Sequence, residues 1–328
     1  MSWIIFLLLQ LCGANRLRGG PSTRPSIRQL CQFSNPTWIE NIAVRSNGQL
    51  LVTLFSSPEL YQIDPFDPNP TPELVARFPN ALGILGITEL EEDVFAITKG
   101  NFSSETGNVA PASFSVWKAD LRGGTPALSR IADVPAATIL NGVSTVKQGS
   151  KFVILADSMA GVLWRVNLET AEYDIILNST ATQPTTPFPV GWGANGVHAR
   201  DGNLFFTNSD RGLYRARIHD DGTLGGRVEV VANLTGADDF TFDARGQVYL
   251  SRGRDDVIGK VTSGGELVTL DTANADAPVL LEGNTAVAFG RTTCDRRTLY
   301  VATNGGWSGL VPGTAQVGGR VLAIDLGE

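Results

Sequence analysis

Glu40, Asn141, Asn195, Asp238 and Asn284 each stand at the head of a short apolar segment, and Leu85 heads a sixth segment of the same kind. Glu40, Asn141, Asn195 and Asp238 carry oxygen donors only. Brought to one point, two carboxylates and two amides suit a hard divalent cation, Ca²⁺ or Mg²⁺, with water completing the shell. No His or Cys joins them, which argues against a tight structural zinc site. Asn and Asp also begin strands as turn caps, so any one of these positions alone carries little. Their recurrence at one register is what predicts convergence.

A second group follows the partner strand of each segment: Phe55, Lys99, Asp157, Asn208, Asp210, Arg252 and Asn304. From it come candidate catalytic residues Lys99, Asp157, Asp210 and Arg252. Asn208 and Asn304, with Trp192 and Trp307, are the candidate substrate-binding residues. Three long connections adjoin them: 100–113, 181–194 with Phe188 and Trp192, and 305–319 with Trp307. Aromatic walls over a polar floor suit a hydrophobic organic ligand with one polar group. Trp192 and Trp307 are either such walls or packing on their own units, whereas Trp117 and Trp164, inside strands, are expected to pack. His198 reads as a structural histidine ahead of a channel base. No Ser-His-Asp arrangement, phosphate loop or dinucleotide fingerprint is evident, since Gly191–Gly196 precedes a strand rather than a helix.

The elements that position these residues repeat. Each segment is an apolar strand, a polar turn often holding Gly, and a second apolar strand ending in Thr, Ser or Asp, and successive segments start 43 to 56 residues apart. Third strands read at Leu60, Phe114, Val162, Gly212, Ile258 and Arg320, and fourth strands at Leu74, Asp174, Val228 and Leu267. Four strands per unit of this period predict an all-β, six-bladed β-propeller with antiparallel blades and little helix. The chain stops before blade six gains a fourth strand, so Ile27–Phe33 is expected to supply it and remove an exposed edge. Residues 27–328 then form one propeller domain. The composition of the 328 residues, 42% hydrophobic and 18% charged, excludes a disordered chain. A net charge of -7 without a basic run argues against a nucleic-acid partner.

The N-terminus predicts export. Trp3–Cys12 is too short to span a bilayer and fits the apolar core of a signal peptide, residues 1–14, with 15–26 as a flexible lead. A buried or anchoring N-terminal helix is the alternative, because a basic n-region is missing. Three sequons, at Asn101, Asn178 and Asn233, agree with secretion. After cleavage Cys31 and Cys294 remain, and both would lie in blade six, so a disulfide between them or two free thiols are open. The outer strand and the inner turn stand about 10 Å apart at the usual strand spacing, which opposes the bridge. The mature protein is expected to be a secreted monomer, off the membrane, acting on small apolar molecules.

The repeat and the polar ring resemble the SMP-30/gluconolactonase/LRE-like family, whose six-bladed propellers hold a divalent metal in the channel. The matching positions are Glu40, Asn141 (with Gly142), Asn195 (with Gly196) and Asp238, and Ala288–Arg291 with Leu299–Thr303 is similar to the last blade. The chain departs where Asn41-Ile42 follows Glu40 in place of Gly-Pro, and where Asp239 follows Asp238 in place of Gly. The stretch Asn35–Arg45 with Pro58–Ile63 is similar to a fungal secreted branch that includes hetero-Diels–Alderases of tropolonic sesquiterpenoid biosynthesis.

That resemblance implies an enzyme joining a quinone methide, formed from a tropolone or phenol, to a humulene-type alkene. Such a cyclase requires no cofactor. The wider family implies a metal-dependent lactonase, and a non-catalytic binding propeller is a third reading, since fold alone does not select a function.

Overall fold

The computed structural model describes residues 25–103, 106–188, 190–271, 277–306 and 317–327. The expected signal peptide, almost all of the lead, and Trp307 lie outside these residues.

The first strand, β1 (Ser26–Gln32), precedes the repeats. Blade one is β2 (Ile39–Val44), β3 (Leu50–Leu54), β4 (Glu59–Ile63) and β5 (Glu73–Arg77). Blade two is β6 (Gly83–Glu91), β7 (Val94–Gly100), β8 (Ser115–Asp120) and β9 (Ala127–Asp133). Blade three is β10 (Leu140–Thr145), β11 (Phe152–Asp157), β12 (Val162–Asn167) and β13 (Tyr173–Asn178). Blade four is β14 (Ala194–Arg200), β15 (Asn203–Asn208), β16 (Gly212–Ile218) and β17 (Leu224–Asn233). Blade five is β18 (Phe240–Phe242), β19 (Val248–Arg252), β20 (Val257–Val261) and β21 (Leu267–Thr269). Blade six is β22 (Asn284–Phe289), β23 (Thr298–Thr303) and β24 (Arg320–Asp325), with β1 paired antiparallel to β24. The closure expected from Ile27–Phe33 is therefore made, with Ile27 opposite Ile324 and Cys31 opposite Val321. One helical turn, Ala277–Leu280, leads into blade six.

Burial grades outward through each blade. The second strands are enclosed on both faces and read as continuous apolar runs, as in Leu50–Leu54, where every residue is buried. The fourth strands face solvent, as in β13, and carry little apolar signal. β9 escapes sequence reading for that reason: Ala127–Asp133 holds one buried residue.

The inner strands β2, β6, β10, β14, β18 and β22 pack side by side into a closed ring. Hydroxyl side chains tie each blade to the next near the mouth. Thr98 donates to Leu140 O at 2.9 Å, Ser158 to Ala194 O at 2.8 Å, Thr207 to Asp238 O at 2.7 Å and Thr285 to Ile39 O at 2.9 Å. Thr53 and Ser251 make the same link to Leu85 O and Thr285 O. Five of these ties come from the Thr or Ser at the end of a second strand, and the one from blade six to blade one comes from Thr285 of the inner strand β22. Several of these hydroxyls also accept an inner-strand amide: Asn41 N on Thr53, Gly86 N on Thr98 and Gly196 N on Thr207.

Those amides sit where the inner strands slip register against their partners, between Ile39 and Asn41, Ile84 and Ile87, and Ala194 and Val197. A bulge of this kind re-aims side chains. It also explains the Asn-Gly pairs. A Cβ on Gly142 would stand 2.4 Å from Asn195 O, and one on Gly196 would stand 2.4 Å from Asp239 Oδ1. Only glycine allows neighbouring inner strands to approach so closely.

The Cys31–Cys294 bridge does not form. Cys31 is a buried free thiol. Cys31 pairs with Val321 at the mouth end of β24, while Cys294 lies in the turn joining β22 to β23 at the opposite end of the blade. Burial pushes the Cys31 thiol up to about 12, so it is held protonated.

Candidate functional site

The four oxygen donors meet at the channel mouth. Glu40 is buried, and its carboxylate accepts Trp38 Nε1 at 2.5 Å and the Asn141 side chain. Asp238 accepts the Asn195 side chain, and Asn195 Nδ2 also donates to Ser209 Oγ at 3.1 Å. Protein encircles the Asp238 carboxylate, yet the residue as a whole keeps some solvent contact.

Burial pushes Glu40 up to about 7; the Trp38 and Asn141 donors oppose that rise, and the Asp239 charge adds to it. Asp238 is raised well above the usual carboxylate range, by burial first and then by the charges of Glu40 and Asp239. The two carboxylates therefore titrate as neighbours.

A second tier lies directly behind this ring, at the residues that replace the expected glycines. Asn41 Nδ2 donates across the channel to Asp239 Oδ2 at 2.8 Å. Asp239 Oδ1 meets His198 Nε2 at 2.8 Å and accepts Phe240 N at 2.7 Å. His198 stands edge-on to the Phe240 ring, with its side chain 33% exposed. Blades one, four and five are thus joined through side chains across the axis.

The donor set bears on a cation. Asn195 Oδ1 is buried and has no hydrogen-bond partner, and it lies on the side chain that reaches Asp238. An unmatched amide oxygen beside two mutually repelling carboxylates fits a hard divalent ion. Among the described residues, no cluster of three or more His, Cys, Asp or Glu forms a metal site. An ion here would lean on Glu40, Asp238 and the amide oxygens of Asn141 and Asn195.

One wall of the mouth is aromatic. Trp38 packs on Phe55 at 5.0 Å between ring centroids, Phe55 stacks on Phe102 at 4.5 Å, Phe102 meets Phe188 at 6.1 Å, and Phe188 meets Trp192 at 5.2 Å. All four spacings fall in the range of favourable ring pairs. Phe55 and Phe102 are only 3% and 2% exposed, whereas Trp38, Phe188 and Trp192 are partly open. Phe188 and Trp192 belong to the connection ahead of β14, so this segment reaches from blade four to the blade-two connection that holds Phe102.

Asp210 fastens that segment. Its Oδ2 accepts Thr185 N at 2.8 Å and Thr185 Oγ1 at 2.9 Å, and Arg254 approaches its Oδ1 at 3.8 Å. Asn208 Nδ2 donates to Ala181 O and Gln183 O, while its Oδ1 accepts Asp210 N. Both side chains hold the wall in place from behind.

The remaining candidates are committed elsewhere. Asp157 is fully buried and accepts five donors: Thr138 N and Oγ1, Ile139 N, Ala160 N and Trp164 Nε1. Lys99 points to Pro79 O and Asn80 O and lies 4.8 Å over the Trp117 ring. The Arg252 guanidinium pairs with Asp255, and its backbone N–H donates to Asn284 Oδ1 at 2.7 Å. Asn304 Oδ1 accepts Gly306 N at 3.0 Å.

Sequence reasoning missed Trp38 and Phe102 as parts of the site. Trp38 carried one usable signal. It stands two residues before Glu40, so an extended backbone places both side chains on one face. Phe102 carried none, because its ring partners come from distant blades.

No protein-family model matches the chain. A Phoma sp protein described as "Putative hetero-Diels-Alderase" is 31% identical over 306 residues, which cover 84% of this chain and 86% of that one. A second, "Putative hetero-Diels-Alderase asR5" of Sarocladium schorii, is 28% identical over 316 residues, covering 86% and 78%. Among solved structures, the calcium-binding protein regucalcin of Agrobacterium tumefaciens superposes with a TM-score of 0.60 at 14% identity, covering 92% of this chain and 93% of that one. That last likeness speaks to the fold alone. Sequence identity and coverage together show that this chain belongs to the hetero-Diels-Alderase family of six-bladed propeller enzymes.

Proposed function

We propose that the protein is a hetero-Diels–Alderase that joins a quinone methide, formed by loss of water from a hydroxymethyl tropolone or phenol, to a humulene-type alkene. The observation that carries this reading is the union of an aromatic wall with a polar floor through Trp38 and Glu40. The cycloaddition forms one C–C and one C–O bond between a four-electron oxadiene and a two-electron alkene. No proton moves and no group leaves in that step. Catalysis then rests on holding the two partners in a reactive pose and on polarising the electron-poor one.

The residues divide that work. Trp38, Phe188 and Trp192 exclude water and orient apolar carbon. The Asn141 and Asn195 amides hold the Glu40 and Asp238 carboxylates, and the unpartnered Asn195 Oδ1 marks where a hydroxyl of the oxygenated ring would be held. A cation bound by Glu40, Asn141, Asn195 and Asp238 would polarise an oxygen of the ligand. Asp210 and Asn208 act as positioning residues behind the wall. The same reading places the protein in the secretory pathway, in keeping with exposed sequon residues at Asn178 and Asn233; Asn101 is half-buried.

The oxygen cluster itself favours one competing reading, a metal-dependent lactonase, because the same donors could hold an ion that activates water. Turnover of the two substrate classes with and without chelator separates the readings. Accelerated, stereoselective cycloaddition supports the proposal, and chelator-sensitive lactone hydrolysis in its place defeats it.

A further inference from the structure

We infer that the mouth is divided into two subsites, and that the arc Trp38–Phe55–Phe102–Phe188–Trp192 is the one that binds the unsaturated hydrocarbon, leaving the Asn195–Asp238 side to the oxygenated ring. This assignment rests on the cycloaddition reading and adds to it a place for each partner.

Three observations converge. The arc is continuous, each ring touching the next, from the head of β2 to the connection before β14. Its rings play two parts: Phe55 and Phe102 are buried anchors, and Trp38, Phe188 and Trp192 turn part of their surface outward. A wall whose rings already hold one another loses little side-chain freedom when a ligand arrives. It presents broad π faces without requiring hydrogen bonds from the ligand, so an alkene-rich hydrocarbon fits it better than a polar ring does.

The opposite side has the reverse chemistry. Asn195 Oδ1 is a buried acceptor without a partner, and Asp238 stands next to it. A hydrocarbon placed there would leave the Asn195 acceptor unmatched beside a carboxylate, which is costly. An oxygenated ring bearing a hydroxyl would satisfy that acceptor. Trp38 marks the border, with its ring face on Phe55 and its N–H on Glu40. Two partners seated on either side of Trp38 would meet above Glu40.

The separation can be read by binding alone, without turnover. The purified full-length protein is titrated with humulene, an unoxygenated cyclic triene, and separately with tropolone, which lacks the hydroxymethyl group and cannot form the quinone methide. Indole fluorescence and calorimetry follow each titration. Humulene should bind saturably, and Phe188→Ala and Trp192→Ala should each weaken it about tenfold while leaving tropolone within about twofold. Phe188 lies in a surface connection, so its melting temperature serves as a control that the propeller is intact. Absence of saturable humulene binding, unchanged humulene affinity in both variants, or competition of tropolone with humulene for one place would each overturn the division. Should both ligands bind as assigned while no cycloadduct forms, the subsites stand and the proposed reaction falls.

Discussion

The indole Nε1 of Trp38 donates to Oε2 of Glu40 at 2.5 Å, so the first ring of the aromatic wall is also a ligand-side support of the floor carboxylate. Two residues of one extended segment thereby join the apolar and the polar halves of the mouth. Glu40 is turned to the channel where β2 slips register, and Trp38 follows it onto the same face.

Stability of the ion-free protein should fall as pH rises from about 4.5 to about 7. Glu40 has its pKa raised to about 7 in the folded chain, so the folded state holds a proton that the unfolded state has already lost. The contribution is fully present below the unfolded value and lost as pH passes the folded one. A shift of this size corresponds to roughly 3 kcal/mol, with Asp238 acting in the same direction. Denaturant unfolding in EDTA at pH 5 and pH 7.5 measures it, and Glu40→Gln should flatten most of the difference.

Divalent-ion affinity should depend more on Glu40 than on either amide. Glu40→Gln removes a full negative charge, whereas Asn141→Ala removes one neutral group, and charge count governs affinity for hard cations. Calcium titration by calorimetry on the three proteins should rank wild type above Asn141→Ala and Asn141→Ala above Glu40→Gln. The reverse order for the two variants would remove Glu40 from the centre of the cluster.

Asp157 should prove structural. Its carboxylate satisfies five donors that stitch Thr138–Ile139, Ala160 and Trp164 to the end of β11. Asp157→Ala strands buried donors and should cost about 3 kcal/mol or more. The expected reading is a lower denaturant midpoint with ligand affinity at the mouth retained in the folded fraction.

Deleting residues 26–34 should destabilise the whole ring. β1 is the outer strand of blade six, and its loss exposes the edge of β24 together with the cluster around Leu30, Ile39, Tyr300 and Val321. Scanning calorimetry should show a lower, less cooperative transition, and a wild-type-like transition would count against the closure.

The ring was legible because its information is local and repeated. Five of the six repeated segments head with a polar residue, their second strands end in Thr, Ser or Asp, and the Asn141-Gly142 and Asn195-Gly196 pairs mark close strand approach. β9 was hidden because a solvent-facing outer strand needs few apolar residues. Convergence of Glu40 with Asp238 followed from a shared register. The state of Lys99, Asp157 and Arg252 did not, because the partners that occupy them come from turns and neighbouring strands. The Cys31–Cys294 pairing failed on the axis along the blade: sharing a sheet says nothing about which end each residue occupies.

The most direct measurement is product formation by the purified protein from a hydroxymethyl tropolone and humulene, with and without EDTA, beside a lactone hydrolysis assay. The account predicts cycloadduct formed faster than without protein and as one dominant stereoisomer, with selectivity reduced in Trp192→Ala. Lactone hydrolysis abolished by EDTA, with no acceleration or stereocontrol of the cycloaddition, would contradict it.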